Sequence, residues 1–342
     1  MNTAALTLST AILMLIAAAA ISHGLLLLLR PLLLRYALAL PNARSSHRTP
    51  TPQGAGIGVV AATVAISTLA ALALDGIADR TLGIVLAAAV GIAIVGAVDD
   101  IKPVGVLPRL LLQAVAVAAI LVAIPAEARI VPMLPLSLER VLLGLGAVWF
   151  VNLTNFMDGI DWITAAETVP VTAFIALFGV FGATSPTETV VALALCGAML
   201  GFAPLNKPVA KMFLGDVGSL AIGLLIAWML IALAGRGHLA AALLLPLYYL
   251  ADATITLFLR LSRGEKVWVA HRTHFYQRAT QNGFRVMETV TRIFAVNVAL
   301  GLLALATLLE TSLAVQISAV ACGAALVAWL LYAFAKDRAS AA

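Results

Sequence analysis

Charge is what this chain has least of. Only 11% of its 342 residues are Asp, Glu, Lys or Arg, against about 25% in an ordinary soluble domain, while 63% are apolar. A soluble globular fold is excluded on those figures. Cysteine is nearly missing too: Cys196 and Cys322 both sit inside apolar runs, which excludes a disulfide framework and a thiolate metal site. The net charge of +5 is modest and is accounted for by anionic lipid headgroups, so nucleic acid is not implied as a partner. No internal repeat is visible, and Pro and Gly mark only turns.

What is present instead is a succession of apolar runs, each of about 20 residues and long enough to cross a hydrocarbon core as a helix. The first, residues 4 to 29, is too long for a signal-peptide core, lacks a basic start and has no cleavage site before Arg30; it reads as a span. The pattern predicts an all-α, polytopic membrane bundle of about eleven helices, centred near residues 16, 66, 90, 118, 147, 172, 197, 226, 249, 299 and 323. No room is left for a soluble unit, so residues 1–342 read as one membrane domain. The fifth run is the weakest, because Glu139, Arg140 and Asn152 crowd its short apolar stretch.

Lys and Arg set the sidedness. The loops at 30–56, 99–109, 152–162, 205–216 and 260–288, with the C-terminal tail, hold sixteen of the twenty-one, whereas the other side has Arg80, Arg129, Arg140 and Arg236. This puts the N-terminus outside and the C-terminus in the cytoplasm. Every polar motif then falls on the cytoplasmic face.

Three motifs place carboxylates at the ends of apolar runs. Asp99-Asp100 closes the third, where adjacent like charges oppose each other and the helix dipole, so a cation is expected to compensate them; Lys102 and Arg109 could serve as simple counter-ions. From Asn152 to Asp161, the residues Asn152, Asn155, Asp158 and Asp161 recur every three positions and face one way on a helical or turn-like backbone. Carboxylate and amide oxygens without Cys suit a hard cation such as Mg2+, which shares the phosphates of a substrate; Gly159 would let the backbone approach a ligand. Phe213-Leu214-Gly215-Asp216 opens the eighth run, where unpaired amides and a positive dipole favour phosphate. Asp216 could equally be a plain N-cap, and Phe213 either a base-stacking platform or an interfacial aromatic.

Two basic loops complete the set. His271-Arg272-Thr273-His274 lies in a loop with six Lys and Arg residues, suited to a diphosphate; on a helical turn His271 and His274 would face the same ligand. The first loop, from Pro41 to Gly56, is basic, stiffened by Pro and able to wrap an anionic headgroup. Asp252 lies deeper in its span, an intramembrane acid that is a functional candidate by default, and Pro246 nearby is expected to kink that helix and bring Asp252 towards water. His23 and His238 read as structural.

Taken together, these strings resemble the polyprenyl-phosphate N-acetylhexosamine-1-phosphate transferases, the MraY/WecA-like glycosyltransferase family, through five motifs in order from Pro41 to Arg278. The resemblance implies transfer of a sugar phosphate from a UDP-N-acetylhexosamine to undecaprenyl phosphate at the cytoplasmic face of the bacterial inner membrane, with Mg2+ as cofactor, Mn2+ as a substitute, and release of UMP. It implies catalytic carboxylates at Asp99 and Asp100, a metal site at Asn155 and Asp216, and Asp158 in the same cluster. Asp161 and Asn206 fall at the nucleoside, Phe213 at the uracil, and His271, Arg272 and His274 in the family's last loop. The Arg-Ser-Ser-His string at 44–47 and the His-Arg-x-His-x-Tyr-Gln ending are closer to the branch that initiates O-antigen and related surface glycans than to the phospho-MurNAc-pentapeptide transferases. Gln53, Ala55 and Trp162 depart from the family pattern. A homodimer is left open. The rival is a secondary transporter using its acids as cation sites, but all acids other than Asp252 lie at span ends and no repeated half is visible.

Overall fold

A computed structural model describes residues 6–39, 50–74, 79–266 and 271–337; the Arg-Ser-Ser-His string at 44–47 lies outside them. The regular structure of the described residues is helical apart from one two-rung antiparallel ladder, in which β1 (Leu38–Ala39) pairs with β2 (Thr51–Pro52). The helices in order are α1 (Leu8–Tyr36), α2 (Gly56–Ala73), α3 (Arg80–Ile101), α4 (Val106–Ala123), α5 (Leu136–Met157), α6 (Ile163–Val180) and α7 (Pro186–Asn206). They are followed by α8 (Asp216–Gly235), α9 (Leu239–Leu244), α10 (Leu247–Ser262), α11 (Phe275–Gln281), α12 (Val286–Leu309) and α13 (Leu313–Ala335).

Among the described residues, ten helices are long and apolar enough to cross a membrane. The ninth of the eleven expected spans, near residue 249, is two pieces, α9 and α10, separated by a turn at Leu245 and Pro246. Proline cannot donate to the preceding turn and clashes with it, which stops one helix and starts the next. The chain is a multi-pass membrane protein, and short connections make successive long helices run antiparallel.

α8 is the axis of the bundle: its apolar stretch is 94% buried, against 22% for α1 on the lipid-facing rim. α2, α3, α5 and α7 surround it or its neighbours. The approach of α3 is close enough that a Cβ at Gly96 would overlap the backbone of Asp216. That contact brings the C-terminal end of α3, with Asp99 and Asp100, against the first turn of α8.

Candidate active site at the start of α8

Asp100 gives both carboxylate oxygens to α8, accepting the amides of Asp216 at 2.9 Å and Val217 at 3.2 Å. A neighbouring helix thus supplies the cap that two orphan amides need. Gly215 makes this geometry accessible: its φ is +76° and a Cβ there would run into the Asp100 carboxylate. The Gln53 side chain donates to the Asp100 carbonyl at 2.8 Å and so ties the first loop to α3.

Asp99 accepts from the Val104 amide and, at 2.9 Å, from Arg109, whose guanidinium also reaches Asp216 at 3.4 Å. The Asp99 and Asp216 carboxyls lie close enough to interact directly. From α5, the Asn155 amide nitrogen donates to Asp216 Oδ1 at 2.8 Å and to Ser219 Oγ at 2.9 Å, which leaves its Oδ1 for another ligand. Three carboxyls from α3 and α8, one amide from α5 and a single guanidinium therefore share the start of α8. Like charges so close are costly without a cation.

The donor set fits a hard divalent cation. Among the described residues, no three His, Cys, Asp or Glu groups form a ready-made metal cage. One or two carboxylate or amide oxygens, with the remaining ligands from water and phosphate, is how Mg2+ is usually held.

Beside this cluster, α5 ends and a turn carries the next acids. Asp158 accepts from the Thr164 hydroxyl at 2.5 Å. Burial raises its carboxyl to about 6 against the pull of that hydroxyl, and the charges of Asp100 and Asp161 push the same way. Asp161 accepts the Ala210 amide at 3.0 Å. Trp162 sits at φ +67°, in the left-handed region where a side chain is costly and glycine is not. Its amide donates to Asn206 Oδ1 at 2.7 Å and its indole to the Ala203 carbonyl. Asn206 in turn donates to the Met212 carbonyl at 2.9 Å. Asp161 and Asn206 thus stitch the acidic turn to the loop that carries half-buried Phe213, whose backbone pairs with Pro52 and Ala55.

Four sequence expectations change. The three-residue periodicity does not gather four groups: Asn152 is buried and donates to Gln113 on α4 at 2.6 Å, away from Asn155 and its partners. Gly159 makes room for a protein group, since a Cβ there would overlap the Tyr276 hydroxyl, which donates to the Phe156 carbonyl at 3.0 Å. His271 and His274 precede α11 rather than lying on a helical turn. Their rings are 4.8 Å apart, with His274 buried and 3.3 Å from Asp252. Asp252 does not reach water; it is fully buried and accepts the amides of Phe275 at 2.9 Å and Tyr276 at 3.1 Å, capping α11, with the Tyr248 hydroxyl at 3.0 Å.

His271 remains the more accessible imidazole. Burial, reinforced by the charges of His274 and Arg260, lowers it to about 4, so at neutral pH it offers hydrogen bonds rather than charge. Arg272 is partly exposed at the same loop. Arg109, Ser219 and Thr164 are the site-end partners whose roles the motifs alone did not single out; only Arg109, ten residues after Asp99, had a local signal.

Residues 82–234, from α3 to the end of α8, match glycosyl transferase family 4. That stretch contains Asp99, Asp100, Asn155, Asp158, Asp161, Asn206, Phe213 and Asp216. The chain is 29% identical over 295 residues to a decaprenyl-phosphate N-acetylglucosaminephosphotransferase of Mycobacterium leprae, covering 75% of this chain and 73% of that one. The enzyme of the same name from Mycobacterium tuberculosis is 32% identical over 212 residues, 56% of this chain and 52% of its own length. A phospho-N-acetylmuramoyl-pentapeptide-transferase of Clostridium beijerinckii is 46% identical over 72 residues, 21% of this chain and 22% of that one. The central helices that build the acidic cluster lie inside the stretch that matches glycosyl transferase family 4.

Proposed function

We propose that this protein transfers an N-acetylhexosamine-1-phosphate from a UDP-sugar to undecaprenyl phosphate at the cytoplasmic face of a bacterial inner membrane, as the first membrane step of a surface glycan such as O-antigen. The observation that carries the reading is the cluster of Asp99, Asp100 and Asp216 around the start of α8, with Asn155 and one Arg, inside the stretch that matches the family. The long match to decaprenyl-phosphate N-acetylglucosaminephosphotransferases, against a short one to a pentapeptide transferase, supports the surface-glycan branch. The basic loops at the same end support the cytoplasmic assignment.

A lipid phosphate oxygen attacks the sugar-bearing phosphorus of the UDP-sugar. The bond from that phosphorus to the UMP oxygen breaks, a new phosphorus–oxygen bond joins lipid and sugar phosphates, and UMP leaves. A phosphate monoester has a second pKa of about 6 and is largely dianionic at neutral pH, so a general base assists without being obligatory. Asp99 orients or deprotonates the lipid phosphate. Asn155 and Asp216 would hold Mg2+, which when bound neutralises charge on the diphosphate and leaving group. Asp100 keeps the first turn of α8, and with it Asp216, in register. Phe213, Asp161 and Asn206 take the nucleoside side and Asp158 belongs to the reacting cluster, while Arg272 and neutral His271 bind phosphate oxygens.

Purified protein given undecaprenyl phosphate, Mg2+ and a panel of UDP-N-acetylhexosamines should release UMP with at least one of them and form a lipid-linked sugar diphosphate. Folded protein that releases none with any member of the panel contradicts the reading.

A further inference from the structure

Away from the acidic cluster, a second carboxyl is buried without the partners the others have. Glu139 has Arg129 and two amides, Glu188 has Arg236, Asp252 has His274 and two amides, and Asp100 has two amides. Glu167, one turn into α6 and 2% exposed, has among the described residues only the Asn297 amide nitrogen from α12, at 2.7 Å from Oε2. A carboxylate so placed, with neither a cation nor a backbone amide, is strongly disfavoured in an apolar surrounding.

The unpartnered atoms complete the picture. Glu167 Oε1 and Asn297 Oδ1 are both buried and both without a hydrogen-bond partner. As carboxylate and amide they are two acceptors. One proton on Glu167 turns the pair into donor and acceptor, so that acid and amide exchange two parallel hydrogen bonds. Asn297 does a second thing: the same nitrogen donates to the Ala166 carbonyl at 3.0 Å. Ala166 is four residues before Pro170, which lies inside α6 and has no N–H to offer that carbonyl. Within a membrane a freed carbonyl must find another donor, and Asn297 is that donor.

We propose that Glu167 is a neutral acid which, with Asn297, clasps α6 to α12 at the Pro170 break and thereby positions Asp158. The link to the site is Thr164, one turn earlier on α6 and donor to Asp158 at 2.5 Å. Buried Tyr249 on α10 lies within electrostatic reach of both Glu167 and Asp158, so the clasp and the acidic turn border one polar interior. The clasp itself stands on geometry alone; its effect on Asp158 rests on the transferase reading above. Glu167 is on this account a positioning residue and does not touch the substrates.

Two measurements test it. Infrared spectra at neutral pH should contain the carbonyl stretch of a protonated carboxylic acid that disappears in Glu167→Gln; spectra that do not differ in that band overturn the neutral acid. This readout needs no activity and stands even if the proposed reaction fails. In the UMP-release assay, Glu167→Gln, whose amide offers the same two hydrogen bonds to Asn297, should stay within about twofold of the parent rate, since hydrogen-bonding shape is retained. Glu167→Leu and Asn297→Leu should each lower kcat by about tenfold or more with KM little changed, because a displaced Asp158 acts on the reacting complex. Loss of activity in a folded Glu167→Gln, or full activity in a folded Glu167→Leu, overturns the positioning role. If the leucine variants do not fold while Glu167→Gln folds and works, the clasp holds the membrane core and the link to Asp158 is withdrawn.

Discussion

At the end of the bundle away from the candidate site, Glu139 and Glu188 each face an arginine of their own, Arg129 and Arg236. At the site end, Asp99 and Asp216 share Arg109 while Asp100 is spent on the amides of α8. The first arrangement is closed: charges match one to one, Ser185 and Glu188 form a capping box on α7, and Glu139 takes the amides of Ile130 and Val131. The second is open, with more negative charge than the protein itself neutralises and an amide oxygen on Asn155 left over. Buried acids that are fully matched hold a fold together, and acids left in surplus bind something positive.

Substitutions at the two ends should therefore separate activity from stability. Asp216→Ala removes an oxygen donor from the open end and is expected to lower UMP release by at least about 100-fold, with the thermal midpoint in detergent close to that of the parent; a variant retaining more than a tenth of the parent rate would remove Asp216 from the site. Glu188→Ala acts at the closed end. Arg236 is 34% exposed, so the loss should be roughly 1–3 kcal/mol, below that of a fully buried pair, seen as a lower thermal midpoint with the rate per folded molecule unchanged. A fall in rate without a fall in midpoint would erase the distinction between the ends.

The smallest expected effect concerns the turn beside the open end. Trp162→Gly and Trp162→Ala both lose the indole's packing and its bond to Ala203, but only glycine relieves the left-handed backbone. Trp162→Gly should be the more stable of the two by about 1 kcal/mol. Equal unfolding midpoints would mean that the turn relaxes once the indole is gone.

Much of this architecture is legible in the sequence because membranes impose it. Ten of the eleven expected spans are single helices, since an apolar run of 20 residues has few other ways to satisfy its backbone in lipid; the exception breaks where Pro246 stands. The acid motifs at Asp99, Asp100, Asn155 and Asp216 do converge, because all lie at helix ends on one side. Pairings across the bundle could not be read. Nothing local to Asn152 announces Gln113, thirty-nine residues earlier, and nothing near Asp252 announces the amides of α11, more than twenty residues later. Nothing local to Glu167 announces Asn297, 130 residues later, which lies beside it.

The central claim, that the start of α8 carries uncompensated negative charge built for a divalent cation, is tested most directly without turnover. Mn2+ titrated into the purified protein and followed by electron paramagnetic resonance should show a bound ion that Mg2+ displaces, with affinity reduced roughly tenfold or more in Asp216→Asn. Absence of bound Mn2+, or equal affinity in the folded Asp216→Asn variant, would contradict it.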